Sequence, residues 1–173
     1  MIDAQQAAQA INHYFNREAA EMYCILGGSA CLLFCALLLW LFFNDRFSSA
    51  LAITLSVVAL LYSAVAVSLL IRDGANRSYL IETVQSGEPQ QQREALTAER
   101  ERMQAVADNY QNLRYLFSGL ALVGALLIAF THHSISHAVA VGLLVFALSG
   151  TVIDRYSEAR ATLYLGALKT QTS

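Results

Sequence analysis

Apolar and polar positions fall in long blocks along this chain. Met22–Asn44 (MYCILGGSACLLFCALLLWLFFN) runs 23 residues without a formal charge, Phe47–Ile71 runs 25, and Tyr115–Ile153 runs 39. An α-helix needs roughly 20 apolar residues to cross a bilayer. The first two runs therefore predict one crossing each. The third is too long for one and is punctuated by His132, His133 and His137, so it predicts two shorter crossings with a turn. The crossings fall at about 22–44, 48–71, 115–131 and 138–153.

The polar blocks between them also carry helical periodicity. In residues 2–21, Ala4, Ala8, Ile11, Phe15 and Met22 fall near one face, and Asp3 is placed to cap the start. Residues 72–86 continue the second crossing, with Asp73 and Arg77 spaced i,i+4 for a helical ion pair. Gly87-Glu88-Pro89 contains the one proline and is the clearest turn. In residues 90–114 a seam of Leu96, Met103, Val106, Tyr110, Leu113 and Phe117 is interrupted at Glu99. Residues 154–170 place Tyr156, Ala159, Leu163 and Ala167 on one face. Asn44-Asp45-Arg46 with Ser48-Ser49, and Thr131 to His137, make the remaining turns.

The expected fold is one all-α membrane domain over residues 1–173. Four long helices form two antiparallel hairpins, half transmembrane and half a cytoplasmic bundle. A weak internal repeat pairs Tyr23 and Gly27 with Tyr115 and Gly119, and Tyr79-Leu80 with Tyr164-Leu165.

Composition and charge sharpen this picture. The chain is 56% hydrophobic and 14% charged, against about 25% charged in soluble domains. With a cytoplasmic N-terminus, Arg46 is the only basic residue outside and the other ten Lys and Arg lie inside. That asymmetry gives the orientation, with both termini cytoplasmic and four crossings, as in a bacterial inner-membrane protein. Asp3, Arg17, Glu18 and Glu21 before the first apolar run argue against a signal peptide. A net charge of −2 with no basic face excludes general nucleic-acid binding.

Candidate chemistry is sparse. Small residues stripe the crossings: Cys24, Gly28, Cys31 and Cys35 on the first, Ser56, Ala59 and Ser63 on the second, and Ser118, Ala121 and Ala125 on the third. In lipid such faces serve helix packing or an oligomer interface. All three cysteines lie in the first crossing, which excludes a disulfide framework and favours a structural role. His132, His133 and His137 are a candidate metal or pH-sensing cluster at the outer turn, set against the plainer reading of a polar interfacial turn. Arg93, Glu99, Arg100, Arg102 and Met103 are candidates for binding a cytoplasmic protein partner, set against an ordinary solvated face. No formally charged residue falls within a crossing, which argues against a pump or secondary transporter. No nucleotide loop, Ser/His/Asp set or paired catalytic carboxylates is recognisable, so neither catalysis nor a cofactor is expected. The leading expectation is a self-associating, non-catalytic membrane module that binds a partner through its cytoplasmic helices. An oligomeric pore and an outer-face metal or pH sensor are the alternatives.

Overall fold

The computed structural model describes residues 4–172, with side chains described as far as Thr170. The Asp3 cap lies outside the described residues. Among these there are four helices and no strand: α1 (Ala4–Phe42), α2 (Arg46–Ser86), α3 (Pro89–Phe130) and α4 (Ser134–Thr172), of 39, 41, 42 and 39 residues. Each is long and apolar enough over part of its length to cross a membrane. They run unbroken through both the apolar and polar blocks, because no interior proline removes a donor from the helical ladder.

The turns are short and chemically legible. Asp45 caps α2: its carboxylate accepts from the Ser48 backbone N–H at 3.0 Å and from Ser48 Oγ at 2.6 Å. Those two bonds hold the exposed Asp45 carboxyl below its ordinary range. Pro89 opens α3 at the first helical position, where its missing N–H costs nothing. The turn expected over Thr131–His137 is shorter than the sequence suggests, because α4 already begins at Ser134. Ser-Ile-Ser-His holds no helix breaker, and the His137 N–H reaches the His133 carbonyl at 3.1 Å.

The chain divides into two compact units, each drawing a segment from all four helices. A charged unit comprises the described parts of Met1–Met22, Ser68–Gln111 and Arg155–Ser173, and an apolar unit comprises Tyr23–Val67 and Asn112–Asp154. The apolar unit packs on small residues. Ala36, Ala52 and Leu55 centre a cluster with Leu32, Leu39, Leu51 and Val145. A Cβ on Gly142 would overlap the Thr54 side chain, and one on Gly150 would overlap the Phe117 ring. These two glycines therefore permit close helix approach. Tyr62 ties α2 to α4, donating to the Phe146 carbonyl at 2.7 Å and lying 2.9 Å from Ser149 Oγ. The outward positions of this unit are large and apolar, including Phe34, Leu41, Leu60, Leu122 and Phe130.

The charged unit packs on larger side chains. Ile11, Val84, Leu96, Met103 and Leu168 are its fully buried anchors. Tyr14 of α1 stacks on Tyr164 of α4 with ring centroids 4.2 Å apart and planes 11° apart, and Phe15 meets the Tyr14 edge at 5.2 Å. Two expected features of this unit are corrected. Asp73 pairs with Arg72, while Arg77 reaches across to Asn12 Oδ1 of α1 at 2.7 and 3.1 Å. On α4 the inward face is Ala161, Tyr164, Leu165 and Leu168, whereas Tyr156, Ala159 and Leu163 point outward. The α4 segment is apolar on two sides, so hydropathy alone does not identify which is inside.

Candidate functional site

The inward faces of the four helices follow a heptad-like spacing, and each places one carboxylate on it. On α2 the fully turned-in positions recur every seventh residue: Ala52, Ala59, Ala66, Asp73 and Leu80. On α3, Glu99 sits between Leu96 and Met103 in the same seam. Glu18 and Asp154 hold equivalent places on α1 and α4, and all four acids are at most 9% exposed. Burying a carboxylate is costly unless it is paired or protonated, so the partners define the site.

Within the charged unit, Glu99 is the most completely satisfied. Arg102 grips it with Nε on Oε2 and Nη2 on Oε1, both at 2.8 Å, and Asn76 of α2 adds a bond at 3.2 Å. That two-pronged geometry is the strong form of a charge pair. Burial alone would weaken the Arg102 proton's hold, yet the bonds and charge of Glu99 more than offset it, so the guanidinium stays charged. Arg160 of α4 pairs with Glu21 of α1, whose other oxygen accepts from Ser157 Oγ at 2.7 Å. Arg160 also lies over the Tyr14 ring, 5.7 Å from its centroid. Asp73 accepts from Arg72 Nε at 2.9 Å, and Arg72 is half exposed. Tyr14 and Tyr164 both titrate well above the ordinary phenol range. Burial is the main cause for each, with the Glu18 charge adding at Tyr14 and the Glu99 charge at Tyr164.

Two grooves open onto this network. A small one of about 100 Å³ between α1 and α4 is lined by Ala10, His13, Arg17, Leu163 and Ala167, with Tyr14, Tyr164 and Arg160 also lining it. A larger one of about 590 Å³ between α2 and α3 includes Tyr79, Thr83, Gln91 and Glu94 and ends on Asn76, Glu99 and Arg102. In the apolar unit a separate ion pair joins Arg114 and Asp154 at 4.0 Å.

The residues singled out from sequence separate into distinct environments. Glu99 and Met103 are buried and Arg102 is turned onto Glu99, so of the five partner-binding candidates only Arg93 is fully exposed and Arg100 half-buried. The three histidines do not converge: among the described residues no group of three His, Cys, Asp or Glu is arranged to hold a metal ion. His132 and His133 are exposed, and His137 Nε2 lies 2.8 Å from the Thr131 carbonyl at the end of α3. His137 thereby satisfies a carbonyl that the helix end leaves without an internal partner. Of the small-residue faces, Ala59 is buried and Ser56, Ser63 and Ala121 are half-buried. Cys24, Gly28, Cys31, Cys35, Ser118 and Ala125 are exposed, so they do not pack within this chain. Sequence reasoning missed Glu18, Asp73, Tyr14 and Tyr164. The interrupted seam at Glu99 was the one available signal.

No known protein family, curated protein or solved structure matches this chain.

Proposed function

We propose that this protein is a non-catalytic inner-membrane module of four crossings in two antiparallel hairpins, whose cytoplasmic helices bind a soluble protein partner. The apolar unit is read as the transmembrane half. Tyr23, Tyr115 and Tyr156, each 66–71% exposed, lie close to where their helices pass between units, and Trp40 and Phe42 lie exposed at the far end of α1. Tyr23 and Trp40 are 17 positions apart, about 26 Å along a helix, which suits aromatic belts flanking a hydrocarbon core about 30 Å thick. The excess of Lys and Arg in the charged unit supports a cytoplasmic location for it.

The observation that carries partner binding is the outward apolar face of α4 in the charged unit. Leu163 is 74% exposed there, beside the α1–α4 groove. Lipid does not cover a surface at that depth, and an exposed apolar stripe of this kind suits an amphipathic helix laid into a groove. Arg17 and His13 line the same groove, so an acidic-flanked partner helix fits it better than a second copy presenting the same two side chains. The test is site-specific photocrosslinking in native cells from positions 163 and 104. A discrete adduct from 163, absent from the exposed Gln104 position and lost with an added Ala159→Glu change on the same outward face, is expected. Equal labelling from both positions sinks the reading.

Self-association is a second reading with its own support. Cys24, Gly27, Gly28 and Cys31 are exposed on α1, and nothing lies within 4 Å of a Cβ on either glycine. A second helix seated there would bury a close-packing face in lipid. Mass measurement in native nanodiscs decides this, and an ion-flux assay in liposomes then tests whether an oligomer conducts. A monomer removes both self-association and the pore.

A further inference from the structure

We propose that Glu18 holds a proton at neutral pH, giving the charged unit a proton-binding site in its core. The proposal is independent of any partner at the α4 face.

Counting charges around Glu18 leads to it. Four carboxylates in this unit are turned away from solvent: Glu18 and Glu21 from α1, Asp73 from α2 and Glu99 from α3. The nearby cations are already engaged. Arg102 of α3 is held by both oxygens of Glu99, Arg160 of α4 pairs with Glu21, and the half-exposed Arg72 takes one oxygen of Asp73. One turn beyond Asp73, Arg77 is bound to Asn12. Glu18 is thus left with no ion pair of its own among the described residues, and the charge of Asp73 acts on it.

The oxygens tell the same story. Glu18 is 9% exposed and Asp73 6%, and each has one oxygen, Oε2 and Oδ2 respectively, sealed from solvent with no hydrogen-bond partner. An ionised carboxylate in that position would leave lone pairs desolvated and unmatched. A proton on Glu18 removes that charge and supplies a donor. Tyr14 hydrogen-bonds Glu18 from one turn back, and the charges of Arg160 and Arg102 favour its ionised form. Burial, followed by the charge of Asp73, outweighs them and holds the Glu18 carboxyl above its ordinary range.

The sign of the pH dependence follows. An acid whose folded pKa is raised stabilises the fold below its unfolded pKa, about 4.3 for Glu, and that contribution is lost as pH rises through the folded value. Wild type should therefore lose stability relative to Glu18→Gln as pH increases, since glutamine keeps the shape without the charge.

The test uses the full chain in nanodiscs, by infrared difference spectroscopy across a pH titration. One protonated-carboxyl C=O band per chain is expected at pH 7, with a midpoint above the ordinary carboxylate range. Glu18→Gln should abolish it, and Asp73→Asn should lower its midpoint by removing the neighbouring negative charge. A wild-type spectrum without this band at pH 7 overturns the proposal even if neither variant folds. A band whose midpoint is unmoved in Asp73→Asn overturns the part assigned to the Asp73 charge.

Discussion

The two units are built from the same four helices by opposite means. In the apolar unit the packed positions are small, Ala52, Ala59, Gly142 and Gly150, and the bulky side chains face outward. In the charged unit the packed positions are large or ionic, Leu96, Met103, Glu99 and Tyr164, and the outward face is mostly polar. With the apolar unit placed in lipid and the charged unit in water, as proposed above, the surrounding medium accounts for the contrast. Where lipid replaces water there is no hydrophobic gain from burying Leu or Phe, so close approach of small residues supplies the packing. Where water surrounds the helices, burial of large apolar side chains drives association. The Arg160–Glu21 pair, which joins α4 to α1, then favours one alignment of those two helices.

That contrast can be broken at defined points. The largest effect is expected from Arg102→Met, which leaves Glu99 buried with only Asn76 for company. Removing one partner of a buried pair costs about 3–5 kcal/mol, read as a loss in thermal stability. Met103→Ala, a cavity in the centre of the charged unit, should cost about 2–5 kcal/mol. The same truncation at the exposed Ile53 of the apolar unit should be nearly silent in a denaturation assay.

Size changes reverse the ranking. Gly142→Val drives methyl groups into Thr54, and overpacking of this kind costs about 1–3 kcal/mol. Gly28→Val meets open space and should leave monomer stability unchanged, while lowering the oligomer fraction in nanodiscs if α1 is an interface. If both glycine variants behave alike, the small-residue account of the apolar unit fails. The smallest effect is expected at the turn. Asp45→Ala removes the α2 cap and should lower the melting temperature slightly at neutral pH. Because the Asp45 carboxyl is held below its ordinary range, this difference should shrink as pH falls below about 4, where the unfolded carboxyl gains a proton first, and vanish as pH passes through the lower folded value.

Much of the architecture is legible in the residues. Uncharged runs longer than a crossing, joined to polar blocks without interior proline, predict long continuous helices, and four are present. Gly87-Glu88-Pro89 ends one helix and opens the next, and Asn44-Asp45-Arg46 with Ser48-Ser49 marks the turn between α1 and α2, because these signals act through neighbouring backbone groups. The candidate site was far less legible. Glu99 read as a gap in a seam and as a partner-binding candidate, Asp73 as the helical partner of Arg77, and Glu18 carried no site reading at all.

Local chemistry by itself therefore determined where helices run and stop, since capping, turn formation and helix propensity depend on residues a few positions apart. Only the tertiary structure decided which face of each helix turns inward. Ala, Ser and Leu occur around the whole circumference of these helices, so more than one face satisfies the apolar pattern. The choice falls to long-range partners: Asn76 of α2 meets Glu99 of α3, Asn12 takes Arg77 from Asp73, and Tyr14 stacks on Tyr164, leaving Leu163 outside. Those pairings join residues distant in sequence, and their energies exist only once the helices have met.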